Sequence, residues 1–145
     1  MGKGLPLGVS AFLVLLIIAA TFPPTATRAA DEPKPYKIEN GKVDQATYNG
    51  YRRYGESCLR CHGPDGAGSS YAPDLTDSLK HLDHDQFAQI VINGRQNVTT
   101  SAENVMPAFG TTEDVVNYLD DIYGYLKARS DGVLGRGRPK RADDD

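Results

Sequence analysis

The chain is poor in cysteine, with two among 145 residues, Cys58 and Cys61. Both fall in one five-residue segment. None is therefore left for a structural disulfide, even in a compartment that permits one. A basic excess is also missing: 16 Lys and Arg face 19 Asp and Glu, a formal charge of −3. That balance argues against nucleic acid as a partner. Methionine is scarce, and beyond Met1 there is only Met106. The apolar run over residues 11–20 is short for a membrane span, and Pro23-Pro24 follows it. No internal repeat is visible.

The first thirty residues have the layout of an export signal. Lys3 supplies a positive start, residues 11–20 an apolar stretch, and Thr27-Arg28-Ala29-Ala30 small residues for cleavage near residue 29 or 30. Residues 1–30 are therefore expected to be a signal peptide directing the chain to the periplasm, with an uncleaved N-terminal anchor as the alternative. Cleavage would remove Lys3 and Arg28 and no acid, leaving 14 basic against 19 acidic residues, a net −5. The remaining chain is small for a self-sufficient core.

The segment that stands out is Cys58-Leu59-Arg60-Cys61-His62. This C-x-x-C-H spacing suits covalent attachment of c-type haem. Two thiols on one helical turn can each form a thioether to a haem vinyl group, and the following imidazole can bind the iron. One covalently bound haem c is thus the expected cofactor, and it would give a small domain its missing centre. Export agrees with it, because such haem is attached outside the bacterial cytoplasm. Two other readings compete. Cys58, Cys61, His81 and His84 read C-x2-C-x19-H-x2-H, but a zinc finger wants a shorter central span and a wider His–His gap. A redox-active C-x-x-C needs a βαβ setting, and the pattern does not provide one.

The remaining chain divides at composition changes. Residues 31–43 form an N-terminal arm or short hairpin, with Asn40-Gly41 as the turn signal. A domain over residues 44–129 follows. Asp44 can cap a helix running to about Gly55, with Tyr48, Tyr51 and Tyr54 at helical spacing and Gly50 suited to a close crossing. Residues 63–78 read as a loop rich in glycine, proline and small polar residues. A second helix spans about residues 83–93, with Phe87, Ile90 and Val91 on its apolar face and Gly94 as its stop. His81 and His84, near its start, read as surface or capping residues. Residues 94–110 read as a second loop, which carries Met106. A third helix is expected over about residues 112–128, with Val115, Tyr118, Leu119, Ile122 and Leu126 as its stripe. Residues 130–145, with blocked charges, glycine and proline, read as a flexible C-terminal tail.

With His62 on one side of the iron, the opposite position is open to Met106, to His81 or His84, or to nothing. A thioether favours the reduced iron, and filling both positions leaves electron transfer as the natural task. The constellation resembles class I cytochromes c over about residues 44–128. It is carried by the tyrosine-rich helix before Cys58, Cys58-Leu59-Arg60-Cys61-His62-Gly63, Ala72-Pro73-Asp74-Leu75, Val91-Ile92-Asn93-Gly94-Arg95 and Val105-Met106-Pro107-Ala108-Phe109. The resemblance implies a small all-α fold with crossed N- and C-terminal helices. It further implies Met106 as distal ligand and a Pro73 carbonyl that accepts the Nδ1–H of His62.

Residues 36–43, 47–54, 61–65 and 120–129 are similar to methanol-metabolism c-type cytochromes. Those are periplasmic electron acceptors of PQQ-dependent, often lanthanide-dependent, methanol and alcohol dehydrogenases. The expectation is therefore an electron carrier rather than an enzyme. It would take electrons from such a dehydrogenase and pass them to a terminal oxidase or another cytochrome of the respiratory chain. It would meet the membrane only through an uncleaved signal segment. The rival expectations are a haem sensor or peroxidase-type protein with a labile distal site, and a fixed haem subunit held in a membrane complex by residues 5–22.

Overall fold

A computed structural model describes residues 33–98 and 103–144; the expected signal peptide, residues 1–30, lies outside them. The first ordered feature is a hairpin of β1 (Ile38–Glu39) and β2 (Lys42–Val43), paired antiparallel. Asn40 and Gly41 between them both have positive φ, 52° and 74°, as the tight turn between right-twisted strands requires. Asp44 then leaves the hairpin in an extended conformation and accepts the Thr47 N–H at 3.0 Å. That cap starts α1 (Gln45–Ser57).

The next elements are short. α2 (Leu59–His62) follows α1 after a break at Cys58. A single 3₁₀ turn, Pro64–Gly66, comes next. Within the expected 63–78 loop the chain makes one further helical turn, α3 (Leu75–Ser78), because the Asp74 carboxylate caps the Asp77 N–H at 3.0 Å. α4 (His84–Asn93) begins with a reciprocal capping box between Asp83 and Gln86 and stops at Gly94, φ 75°.

The expected second loop is also more ordered than its composition suggests. β3 (Arg95–Val98) and β4 (Glu103–Met106) pair antiparallel, with Arg95 opposite Met106. The expected third helix is divided in two. α5 (Glu113–Asn117) and α6 (Leu119–Ser130) meet at Tyr118, whose φ and ψ of −116° and 22° leave the helical region. The apolar stripe runs on across the break, so periodicity carries no sign of it. The Arg53 guanidinium of α1 lies 4.5 Å from the Tyr118 ring centre.

The expectation of a flexible tail over residues 130–145 is corrected. β5 (Lys140–Arg141) adds to the hairpin, parallel to β2, giving the order β1-β2-β5. Leu134 is buried, and the guanidinium of Arg129 donates to its carbonyl at 2.7 Å. Arg138 and Arg141 lie 5.7 and 5.1 Å from the Tyr48 ring centre. Apart from Arg129 of α6, the partners of this segment sit on β2, α1 and the loop after His62, all distant in sequence. Its glycine and proline composition therefore reads as disorder.

The core forms where α1 crosses α6. Tyr54 and Tyr125 are fully buried, with ring centres 5.6 Å apart. Gly50 is the point of closest approach: a Cβ there would collide with the Asp121 carbonyl and lie 2.9 Å from the Tyr125 Cβ. Gly124, on α6, likewise leaves room for the Pro35 carbonyl of the N-terminal arm. The architecture is the helix-dominated one expected, with crossed N- and C-terminal helices and two small sheets at the edges.

At the end of α6, Asp131 gathers the N-terminal arm. It accepts from the Tyr36 hydroxyl at 2.7 Å, from Lys34 at 3.3 Å and from Lys127. Burial alone would raise its carboxyl. The hydrogen bonds from Lys127, Tyr36 and Lys34 outweigh that and hold it at about 2, while burial and Asp131 push Tyr36 up to about 12.

This packing has two measurable consequences. Gly50→Ala adds a better helix former yet forces the two backbones apart, so a net loss of about 1–3 kcal/mol is expected; a thermal melt of the haem-loaded protein measures it, and an unchanged or higher midpoint refutes the close crossing. The depressed Asp131 carboxyl contributes stability that is full above about pH 4 and lost as pH falls towards about 2. Asp131→Asn should remove about 1–2 kcal/mol of that acid-dependent stability, read from denaturant unfolding across pH.

Candidate haem-attachment site

The last turn of α1 hands the chain to the attachment segment. Cys58 N–H bonds the Tyr54 carbonyl at 2.9 Å, and His62 N–H bonds the Cys58 carbonyl at 3.0 Å. Cys58 and Cys61 therefore stand three residues apart on one continuous turn, both as free thiols. Burial, and secondarily the neighbouring Cys61, push the Cys58 thiol up to about 11. That is the opposite of the depressed thiol that a redox-active pair uses.

Gly63 ends the turn at φ 72°, and its position is tight: a Cβ would strike the Gly68 carbonyl. Tyr54 secures the loop beyond it. Its hydroxyl accepts the Gly66 N–H at 3.0 Å and donates to the Gly63 carbonyl. Helical spacing places Tyr54 on an apolar face and misses this clamp, because spacing reports only which way a residue points. Gly68 N–H bonds back to the His62 carbonyl at 2.8 Å, and the Ser69 hydroxyl donates to the Cys61 carbonyl at 2.5 Å. The loop is thus closed on the segment it leaves.

His62 is buried, and its Nδ1 lies 3.0 Å from the Pro73 carbonyl. A carbonyl can only accept, so Nδ1 carries the proton and Nε2 keeps its lone pair. That is the tautomer a proximal haem ligand needs. Gly68 keeps this arm close, since a Cβ there would lie 2.8 Å from the Asp74 nitrogen.

Met106 ends β4, half-buried and packed against the core. Beyond it, Phe109 N–H bonds the Val91 carbonyl and Gly110 N–H the Ile92 carbonyl, each at 3.0 Å. Before it, Arg95 pairs opposite it, and at Gly94 a Cβ would press on the Met106 carbonyl at 2.7 Å. Both ends of the segment that carries the thioether are therefore tied to the C-terminal end of α4.

The other two histidines differ: His84 is engaged elsewhere and His81 is exposed. His84 Nε2 is 2.8 Å from Asp120 on α6, and its ring meets Tyr123 edge-on at 5.0 Å. Burial would lower its pKa, but the bonds to Asp120 and Asp85 raise it. His81 is exposed on the turn after α3. Among the described residues no cluster of three or more His, Cys, Asp or Glu could hold a metal ion, so the Cys58, Cys61, His81 and His84 set is not assembled. The donor set fits a haem instead: two unpaired thiols on one turn, an imidazole with Nδ1 already committed, and a thioether on a segment held at both ends.

A family model described as cytochrome c oxidase, cbb3-type, subunit III matches residues 45–126. The chain is 52% identical to cytochrome c-553I of Paracoccus denitrificans over 116 residues, covering 79% of this chain and 51% of that protein, about half its length. It is 45% identical to cytochrome c-555 of Methylococcus capsulatus over 96 residues, covering 66% of this chain and 72% of that one. Among solved structures it matches the c-type cytochrome XoxG from Methylobacterium extorquens AM1. There the TM-score is 0.68 and the identity 47%, over 76% of this chain and 67% of that one.

Proposed function

Because the chain belongs to the c-type cytochromes and binds one haem c through Cys58 and Cys61, we propose that it is a periplasmic one-electron carrier. In this reading it accepts electrons from a PQQ-dependent methanol or alcohol dehydrogenase and passes them to a terminal oxidase or another cytochrome of the respiratory chain. The donor assignment draws on the likeness of residues 36–43, 47–54, 61–65 and 120–129 to methanol-metabolism cytochromes, and on the similarity to XoxG. The periplasmic location draws on the layout of residues 1–30.

When bound, haem c supplies a one-electron iron couple. The chain's own residues do the rest. Cys58 and Cys61 anchor the group by thioethers. His62 presents Nε2, its ring held by the 3.0 Å bond from Nδ1 to the Pro73 carbonyl. Met106 would supply a thioether to the iron, a soft donor that favours the reduced state. A haem held by both His62 and Met106 would have no open iron position for a small-molecule substrate, which suits a carrier. The observation that carries this reading is the committed Nδ1 of His62, since it frees Nε2 for the iron.

A fixed haem subunit is the second reading, favoured by the oxidase-subunit description of the matching family model. Among the described residues no helix is long and apolar enough to cross a membrane. Cell fractionation with determination of the mature N-terminus separates the two.

Two measurements test the main reading. The native ferric protein should show the Met–Fe charge-transfer band at the red edge of the visible spectrum, and Met106→Ala should abolish it and admit CO to the ferrous protein. Retention of the band in Met106→Ala excludes Met106 as ligand. A reduced PQQ-dependent alcohol dehydrogenase should reduce the purified cytochrome in a stopped-flow mix, with a rate that falls as salt screens the docking charges. Failure to reduce it removes that donor.

A further inference from the structure

Asp65 lies three residues beyond His62, is buried, and has the left-handed φ of 62°. An aspartate tolerates that backbone when its side chain is locally bonded. Here the bonds come instead from the far end of the chain. Its Oδ1 accepts the Gly137 N–H at 3.0 Å and its Oδ2 the Arg136 Nε–H at 3.3 Å, while its carbonyl accepts the Arg129 Nε–H at 3.3 Å. Arg129 also donates to the Leu134 carbonyl at 2.7 Å, so it ties the same segment down from the other side. Nothing in the attachment chemistry requires any of these groups.

We propose that Asp65 is a positioning residue of the haem site, and that residues 133–140 are the clamp that seats its carboxylate and offsets its charge. The clamp thereby sets the charge felt on the His62 side and contributes to the reduction potential. The physical argument is one of range. Three residues of chain keep the Cα atoms of His62 and Asp65 within about 11 Å. A unit charge about 11 Å away, through an effective permittivity of about 20, shifts a one-electron equilibrium by roughly tenfold, and by less where solvent screens it. A negative charge stabilises the oxidised, more positive iron, and its removal favours the reduced one. Arg136 opposes that charge. Its side chain is 71% exposed, so solvent screens it and its share is the smaller. The Gly137 N–H carries no net charge but faces the buried Oδ1 directly, so it fixes where the carboxylate sits.

The test is a substitution cycle on the haem-loaded protein, read by spectroelectrochemical titration. Asp65→Asn keeps the shape and removes the charge; it should raise the reduced-to-oxidised ratio at fixed potential by about fivefold, which for a one-electron couple is about 40 mV. Arg136→Ala should move the ratio the opposite way by about twofold, and Arg136→Lys should restore it. The double variant should lie between the two singles, with a rise of about two- to threefold, since the two charges act on the iron additively. A purely structural clamp would instead loosen the site and move both single variants the same way, or leave the potential unmoved; either result overturns the proposal. Thermal melts of each variant separate loss of packing from loss of charge. The inference rests on the proposed His62 and Met106 ligation, so the Met–Fe band is recorded for every variant. If the native protein lacks that band, the ligation reading fails, while the opposed shifts still decide the role of Asp65.

Discussion

Everything in this domain is placed by the contact of two backbones. At Gly50 helix α1 lies against the Asp121 carbonyl of α6, closer than any side chain would permit. The crossing buries Tyr54 against Tyr125. Tyr54 in turn holds the carbonyl of Gly63 and the N–H of Gly66. The two thiols and His62 therefore follow a helix whose seat is set at Gly50. Burial of the tyrosine rings stabilises the crossing, at about 25 cal/mol for each Å² of apolar surface removed from water. The Tyr54 hydroxyl converts part of that packing into loop geometry.

A second layer of order comes from backbone groups that act as fixed partners. The Pro73 carbonyl sets the tautomer of His62, and the Val91 and Ile92 carbonyls hold the segment after Met106. Neither depends on a particular side chain at the accepting position. Both depend on the chain arriving there, and so on Gly68 and Gly94, where a Cβ would press on neighbouring backbone. The two long polar stretches of the sequence are in this sense ordered from outside: short capped turns and one hairpin, each pinned to a helix end.

The parts legible in sequence share one property, that their signal is local. Asp44 before α1, the Asp83 and Gln86 box before α4 and Gly94 after it are caps made by residues within a few positions of each other. Cys58, Cys61 and His62 act within one turn. The misreadings share the opposite property. Tyr118 breaks a helix whose apolar stripe continues unbroken. Residues 94–110 have the composition of a loop, although Arg95 and Met106 pair across it. Residues 130–145 have the composition of a mobile tail, although Leu134, Gly137 and Lys140 find partners in α6, in Asp65 and in β2.

The sequence by itself determined the cofactor, because thioether attachment and axial ligation need three residue types at offsets that no fold can change. It also determined the helices that carry them, since caps and apolar periodicity act over one or two turns. Only the tertiary structure decided how the Met106 segment is held and that the C-terminal residues belong to the domain. Each of those depends on a hydrogen bond or a pairing between groups far apart in sequence, as far as Lys42 and Lys140. Composition and spacing carry no record of such contacts until the α1–α6 crossing brings the partners together.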